Sequence, residues 1–320
     1  MVSEEEAPFA VVGVIGRQGT GKSTILSWLA DGEADDPMFA SASLEALLES
    51  RHTTMGVDVG ATEERVIYVD CQPVFSGSVL RGLTDKEAAA YLPGVAHGPE
   101  ALATIQALQL GAFLFTVCHA IVVVQDPSVD IALADYLQAV SMISARVQKL
   151  DLAVGGSTRQ STASVSATRA GSTAAGTAAA GSPDGIHVPD LVFAFNRCEE
   201  ADFEPRARAS LGAALARLCA ATTDRTPEMV LLPFEARLMD DRAPETGNHV
   251  LNTDGGFGGS VERLRQCLAG ISREPLGGGR GVASTQRDWL RYAAGVWDYV
   301  RESPAVIEYF AAQQEAGFFE

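Results

Sequence analysis

The 320-residue chain has few basic residues: 24 Lys and Arg stand against 41 Asp and Glu, which gives a formal net charge of −17. Proteins that hold nucleic acid neutralise its phosphates with Lys and Arg, so direct binding of DNA or RNA is not expected. The same shortage of positive charge disfavours anionic membrane surfaces. We therefore expect the partners of this chain to be proteins and small molecules.

Cysteine motifs and long apolar runs are also scarce. The five cysteines are odd in number and contain no C-x-x-C spacing, which is typical of a reducing compartment and argues against a zinc cage. The longest apolar run, Leu110 to Val124, is interrupted by His119 and is shorter than the ~20 residues of a spanning helix. The acidic N-terminus does not resemble a secretory signal. These features predict a cytoplasmic protein without a membrane partner.

Short runs of β-branched residues alternate with segments of helical periodicity. Such alternation predicts an α/β fold around a mostly parallel sheet, with helices on both faces. One early hairpin and a glycine-rich turn after the first strand make it a P-loop, G-domain-like arrangement, followed by a C-terminal helical hairpin. The predicted strands are Phe9–Ile15, Val57–Val59, Arg65–Val69, Ala120–Val124, Leu191–Phe195 and Met229–Pro233.

The domain organisation follows from shifts in composition. Residues 1–275 are predicted to form the nucleotide-binding domain, and helices within 285–316 are predicted to pack on it or extend it. The Ser-, Thr-, Ala- and Gly-rich segment 155–185 cannot bury enough apolar surface to offset its ordering entropy, so we expect a disordered insertion there. A polar loop is expected over 240–258. Further predicted helices include Asp130–Lys149, Ser260–Ile271, a patch near Leu44–Leu48 and one opened by a capping box at Thr84–Glu87.

The turn after the first strand matches the pattern G-x-x-x-x-G-K-[ST] in full. Its position between a predicted strand and a predicted helix makes the match credible, because backbone N–H groups and the helix N-terminus then surround a phosphate. The alternative is a glycine-rich turn without a ligand. The predicted phosphate-binding residues are Gly16, Gln18, Gly19, Thr20, Gly21, Lys22, Ser23 and Thr24.

Three residues are predicted to hold Mg²⁺: Ser23, Thr54 and Asp70. Ser23 is the hydroxyl of the P-loop motif, and Asp70 ends a strand where P-loop proteins hold the metal. Thr54 is followed by Gly56 in a pattern that resembles a switch threonine, which completes the metal shell when a γ-phosphate is present. The alternatives are an ordinary turn aspartate and an ordinary strand-entry loop.

The sequence Asn196-Arg-Cys-Glu199 follows a predicted strand at the place where G domains read guanine. Asn196 would bond the base and the stem of Arg197 would cover it. Glu199 is one methylene longer than the usual aspartate, and a displaced hydrogen bond at a buried base edge costs about 1–3 kcal/mol. The predicted ligand is therefore a purine nucleoside triphosphate or diphosphate with Mg²⁺, either GTP/GDP or ATP; an exposed asparagine without a ligand is the alternative.

The residues that would drive hydrolysis are missing. Asp70-Cys-Gln-Pro73-Val74 replaces the usual Asp-x-x-Gly, and proline has no N–H to offer a γ-phosphate. Val74 cannot orient a water, and Arg17 is not at the position of a P-loop arginine finger. We assign no catalytic residue. The competing interpretations are an active dynamin-like GTPase and a P-loop phosphotransferase.

Five blocks of the sequence belong together: Val12–Gly16 with the P-loop, Arg65–Pro73, Leu108–Asp126, Arg287–Asp298 and Ser303–Tyr309. In combination they resemble one family, the SMG-nine proteins of nonsense-mediated mRNA decay. The resemblance implies a pseudo-GTPase-like G domain that pairs with the related G domain of SMG-eight, docks on the PI3K-like kinase SMG-one and regulates it. It covers most of the chain outside the low-complexity segments, and Pro73 is part of it.

The C-terminal helices carry an apolar stripe with two interpretations. Trp289, Tyr292, Ala293, Val296 and Val300 recur at helical spacing. The stripe either packs on the protein's own core or, since Trp is a common anchor at interfaces, contacts a partner.

Overall fold

The computed structural model of the protein describes part of the chain, and for residues 150–159 it describes the backbone alone. The described ranges are 8–30, 37–40, 53–83, 98–159, 186–223, 225–234, 256–277 and 283–315. Several predictions lie outside these ranges: the helix near Leu44–Leu48, the capping box at Thr84–Glu87, most of the 155–185 insertion and most of the 240–258 loop.

A six-stranded sheet forms the centre of the fold. Its order is β2-β3-β1-β4-β5-β6; β2 and β3 pair antiparallel, as the hairpin predicted, and every other pair is parallel. With helices on both faces and a P-loop after the first strand, the predicted G-domain-like α/β fold is confirmed. The strands are β1 Ala10–Gly16, β2 Val57–Ala61, β3 Val66–Cys71, β4 Ala120–Gln125, β5 Asp190–Cys198 and β6 Glu228–Pro233.

Helices cover the two faces of this sheet. Because successive strand residues point to opposite faces, the sheet residues divide between two separate cores. The helices α1 and α6 pack on one face, and α3, α4, α5, α7 and α8 belong to the other. Their bounds are α1 Lys22–Leu29, α2 Gly77–Gly82, α3 Pro99–Val117, α4 Ile131–Arg159, α5 Pro205–Leu218, α6 Gly256–Ala269, α7 Gln286–Arg301 and α8 Pro304–Glu315, with 3₁₀ turns at Glu200–Phe203 and Cys219–Ala221.

Two predicted boundaries are wrong. Helix α4 continues to Arg159, so residues 155–159 are helical rather than part of a disordered insertion. Helix α6 begins at Gly256, so residues 256–258 are not loop. Both predictions were based on glycine and other residues of low helix propensity, which predict loop or disorder. Here these residues continue an adjacent helix despite that low propensity. Phe257, which is buried against Trp28, anchors the first turn of α6.

The apolar stripe of α7 packs inside the protein. Trp289 is 1% exposed, and its indole N–H donates to the Val117 carbonyl at 2.8 Å at the end of α3. Thr285 caps the helix by accepting from the Asp288 N–H at 3.0 Å. Truncating a buried tryptophan costs about 3–5 kcal/mol, so this contact fixes the C-terminal helices to the sheet domain.

Among the residues that the structure describes, one helix has the length and hydropathy of a membrane span. It is α3, and 72% of its apolar window is buried inside the protein. It packs on the sheet and against α4, α7 and α8, so its apolar character is explained by burial inside the protein.

Candidate functional site

The P-loop begins where β1 ends in the middle of the sheet. Gly16 passes so close to β4 that a Cβ there would lie 2.3 Å from the Val124 carbonyl oxygen. Gly19 and Gly21 have φ values of 78° and 95°, which disfavour residues with a side chain. These glycines turn the chain sharply from β1 into α1, so the N-terminal N–H groups of α1 face the loop.

Two side chains fold back to hold the loop in shape. The Thr20 hydroxyl and the Lys22 ammonium both donate to the Arg17 carbonyl at 3.0 Å. Lys22 is 7% exposed, and burial lowers the pKa of its ammonium. A buried ammonium with a single neutral acceptor is under-solvated, so an anion in the loop would stabilise it.

The three predicted metal ligands meet at the start of α1. Ser23 and Thr54 each donate a hydroxyl hydrogen bond to Asp70 Oδ2 at 2.7 Å, and the two hydroxyl oxygens lie 3.4 Å apart. The second carboxylate oxygen, Asp70 Oδ1, is buried without a hydrogen-bond partner. Burial raises the pKa of the Asp70 carboxyl, and the hydrogen bonds from Ser23 and Thr54 offset part of that rise.

These residues fit a hard divalent cation. Mg²⁺ prefers oxygen ligands, and a P-loop hydroxyl with a strand-end carboxylate is the usual pair in this kind of site. The unpartnered Asp70 oxygen is costly in the ligand-free protein, and a cation at that position would satisfy it. Thr24, the last predicted phosphate-binding residue, follows Ser23 in the first turn of α1.

Gln18 makes a contact that the sequence did not predict. Its side-chain oxygen accepts hydrogen bonds from Ser76 at 2.7 Å and from Ser78 at 2.9 Å. Ser76 also caps the short helix α2 through the Val79 N–H at 3.3 Å. The side chain of this predicted phosphate ligand therefore ties the P-loop to the segment after β3.

The segment after Asp70 is bonded to the protein rather than open to a ligand. The Val74 N–H donates to the Gly16 carbonyl at 3.2 Å, and Pro73 has no N–H. Gln72 and Gly56 are joined by two hydrogen bonds. The Gln72 N–H donates to the Gly56 carbonyl at 2.9 Å, and the Gly56 N–H donates to the side-chain oxygen of Gln72 at 3.1 Å. The backbone N–H groups of Gln72 and Val74 are thus bonded within the protein, and Pro73 has none to offer a γ-phosphate.

Arg17 is held away from the loop centre by a residue that sequence reasoning missed. Its guanidinium forms a two-pronged ion pair with Asp130, one bond of which measures 3.1 Å, and lies 5.1 Å from the ring centroid of Phe75. The hydrogen bond from Arg17 lowers the pKa of the Asp130 carboxyl. Asp130 also accepts from the Leu133 N–H at 3.1 Å as a helix cap. Its place at the start of the predicted helix Asp130–Lys149 was the one signal of this role.

The predicted base-reading residues do come to the P-loop. The Asn196 amide donates to the Thr20 carbonyl at 2.8 Å, and Gly21 leaves the space, since a Cβ there would lie 2.6 Å from the amide nitrogen. Arg197 donates to the Gly19 carbonyl and to Asp126 at 3.2 Å. Both side chains therefore brace the loop, and Asp126 is a partner that the sequence did not indicate.

The Glu199 side chain caps the 3₁₀ turn that follows β5. Its carboxylate and the Asp202 side chain form a reciprocal capping box at the 3₁₀ turn, in which the Glu199 N–H donates to Asp202 at 2.8 Å. A carboxylate held in a cap is not free to grip the two N–H groups of guanine. In this arrangement the Glu199 carboxylate is bonded within its own turn rather than directed at the P-loop.

Comparisons with known proteins give consistent results. The chain is 31% identical over 343 residues to the Nonsense-mediated mRNA decay factor SMG9 of Xenopus laevis, covering 95% of this chain and 62% of that protein. It is 29% identical to the SMG9 of Salmo salar, over 97% of this chain and 63% of the relative. The Caenorhabditis elegans SMG9 matches over 42% of this chain and 34% of its own, at 33% identity. The chain thus spans less than two thirds of the relatives that it matches.

No family model matches the chain. Among solved structures, the bacterial selenocysteine-specific elongation factor EF-Sec matches at a TM-score of 0.40 and 8% identity, over 83% of this chain and 29% of that one.

Proposed function

The chain belongs to the SMG9 family of nonsense-mediated mRNA decay factors, and on that premise we propose that it is a nucleotide-binding, largely non-hydrolysing regulatory subunit of the decay kinase complex. Its relatives' names support a role in this process. The chain covers 62% of the Xenopus laevis protein, so the activity and partners of the whole protein are part of the proposal.

The unpartnered oxygen of Asp70 carries the nucleotide-binding half of the proposal. It lies beside the Ser23 and Thr54 hydroxyls at the start of α1, where Mg²⁺ would join the protein to the outer phosphates. A bound Mg²⁺ would supply charge neutralisation between phosphate oxygens and Asp70. The P-loop N–H groups and the buried Lys22 would hold the phosphates themselves.

The segment after β3 supports slow turnover. Transfer of a phosphoryl group to water needs donors aimed at the γ-phosphate and a residue that positions the water. Here Pro73 offers no N–H, the Val74 N–H is bonded to Gly16, and Arg17 is bound to Asp130. The nucleotide would then act as a ligand that stabilises a scaffold.

The choice of purine follows from Glu199. With its carboxylate in the capping box, the pocket holds no acidic group dedicated to guanine, so ATP and GTP are both expected to bind. Asn196 and Arg197 would contact the base only after giving up or sharing their present bonds to the P-loop.

The proposed partners are a second G-domain subunit of the SMG-eight type and the PI3K-like kinase SMG-one, in the cytoplasm. We expect no direct contact with nucleic acid or membrane, because the chain carries a net charge of −17. The family resemblance supports these partners.

Purification from the source cells tests the assignment. The tagged chain should retain a large kinase and a second G-domain protein in stoichiometric amounts, identified by mass. The Lys22→Ala variant, which lacks the phosphate-binding ammonium, should recover less of both if nucleotide stabilises the scaffold. Recovery of the wild-type chain alone would contradict the proposed role.

A further inference from the structure

A groove runs along the outer edge of β6, on the side of the sheet away from the P-loop. It encloses about 630 Å³ between the start of β5, strand β6 and helices α5 and α6. In the part of the chain that the structure describes, no strand pairs with the outer edge of β6. An open strand edge presents unpaired N–H and C=O groups that another extended segment can bond.

Helices flank this edge from both faces of the sheet. Phe203 and Leu231 belong to the core on the α5 side, whereas Val230 belongs to the core on the α6 side. Because successive residues of a strand point to opposite faces, an added strand would send alternate side chains toward α5 and toward α6.

Each flank of the groove carries an arginine. Arg208 comes from α5 and is exposed, and its guanidinium has no hydrogen-bond or ion-pair partner among the described residues. Arg263 comes from α6 and donates to Ser260 at 2.8 Å. A third arginine, Arg225, lies at the entrance to β6 and pairs with Asp190. Glu228 is the other acidic residue on the lining.

This concentration of guanidinium groups is unusual in so acidic a chain. Among the described residues of the lining there are three arginines and two carboxylates, whereas the whole chain has 24 basic and 41 acidic residues. Arginine at a groove rim binds carboxylates bidentately, and its charge would attract an acidic segment that the rest of the surface repels. Since one arginine lies on each flank, acidic side chains on both faces of an added strand would find a partner.

We propose that the β6 edge groove binds an extended, acidic segment of a partner protein as a seventh strand. Main-chain hydrogen bonds to β6 would give affinity, and Arg208 and Arg263 would select acidic side chains on the two faces. The site is separate from the P-loop and does not depend on nucleotide.

Binding of a labelled oligoglutamate of about six residues, the usual length of a strand, tests the proposal with the purified full chain. Fluorescence anisotropy should show saturable binding below about 1 mM, and an uncharged oligoglutamine of equal length should bind at least about tenfold more weakly. Oligoglutamate methylated at alternate backbone nitrogens should bind at least about tenfold more weakly, because it cannot complete the strand pairing.

Two charge reversals on the same helix provide a matched comparison. Arg208→Glu should weaken oligoglutamate binding by about tenfold or more, whereas Arg206→Glu, also exposed on α5 but outside the groove, should change it by less than about twofold. Thermal unfolding checks that both variants are folded. Equal losses in the two variants, unchanged binding of the methylated peptide, or no saturation would overturn the proposal. So would a self-association of the chain that Arg208→Glu abolishes, because the occupant would then be a second copy.

Discussion

Around Asp70, beside the P-loop, one buried carboxylate oxygen has no hydrogen-bond partner. At the ends of β3 and β5, by contrast, the polar groups are already bonded within the protein. Asp70 receives two hydroxyl hydrogen bonds on one oxygen and none on the other. After β3, by contrast, Val74 is bonded to Gly16, and after β5 the Glu199 carboxylate caps a 3₁₀ turn. The first region is arranged to receive a ligand; the other two are arranged to hold the protein together.

This contrast separates binding from chemistry. The energy for holding a nucleotide comes from the P-loop, Lys22 and the metal site, none of which depends on residues 72–74 or on Glu199. The groups that would accelerate hydrolysis or select a base lie in the segments after β3 and β5, where they are hydrogen-bonded within the protein. Each prediction below breaks or sharpens this separation, starting from the largest expected effect.

Removing the phosphate-binding ammonium should have the largest effect. Lys22→Ala should weaken nucleotide binding by about a hundredfold, because a charge-assisted hydrogen bond is worth roughly 1.5–3 kcal/mol. Titration calorimetry with ATP and Mg²⁺ measures the change. Lys149→Ala, an exposed lysine on α4, serves as the control and should bind as wild type does. Equal affinities of the two variants would place the nucleotide elsewhere.

The free energy of unfolding should depend on pH through a buried histidine at the start of β4, away from the P-loop. His119 accepts from the Val11 N–H at 2.9 Å and donates to the Glu274 carbonyl at 2.8 Å, and burial lowers its pKa from 6.5 to about 4. Between these two pKa values, His119 is protonated in the unfolded chain and neutral in the folded chain. Stability contributed by neutral His119 is complete above pH 6.5 and is lost as the pH falls toward 4.

Between about pH 8 and pH 5 this loss should reach about 2 kcal/mol in the free energy of unfolding. Urea unfolding at several pH values measures it, and His119→Gln, which cannot titrate, should show a flatter profile over the same range. His187, whose pKa burial also lowers, remains in both proteins and sets the common background. Parallel profiles for the two proteins would contradict the role assigned to His119.

Removing the charge of Asp70 should have opposite effects with and without metal. The raised pKa of its carboxyl means that ionisation at neutral pH opposes folding: the stability from the protonated group is complete below the unfolded pKa and is lost as the pH rises through the folded pKa. Asp70→Asn should therefore raise the stability of the ligand-free protein by about 1 kcal/mol and abolish the added stabilisation by Mg²⁺ with nucleotide. Asp58→Asn, on the paired strand β2, should keep the Mg²⁺ response. Thermal unfolding with and without Mg²⁺ compares the two.

Restoring the usual residues after β3 should have the smallest effect. In the double variant Pro73→Gly with Val74→Gln, phosphate release should stay within about twofold of wild type, because the backbone at position 74 remains bonded to Gly16. A coupled phosphate-release assay measures it. A rise of tenfold or more would mean that two side chains, rather than the bonding of the segment, hold turnover back.

The local parts of the site could be predicted from the sequence. The P-loop motif places Lys22 and Ser23 within one turn of helix, and Asp70 follows a recognisable strand, so their meeting follows from the parallel arrangement of β1 and β3. The alternation of strands and helices likewise fixed the fold class.

The contacts that restrain the site could not be predicted in the same way. Arg17 meets Asp130 across 113 residues and Gln18 meets Ser76 across 58, and no local pattern specifies such pairs. The capping by Glu199 could be recognised from its spacing to Asp202, but its consequence for the base depends on where the carboxylate points. Residues 155–159 were misjudged because composition favoured disorder where α4 continues.

Thermal unfolding of the purified chain with Mg²⁺ and ATP or GTP, with phosphate release followed in the same samples, tests the separation of binding from chemistry most directly. We predict a melting temperature that rises by several degrees with either nucleotide, at roughly 2–4 °C per kcal/mol, while phosphate release stays at background. An unchanged melting temperature, or rapid release by the isolated chain, would contradict the account.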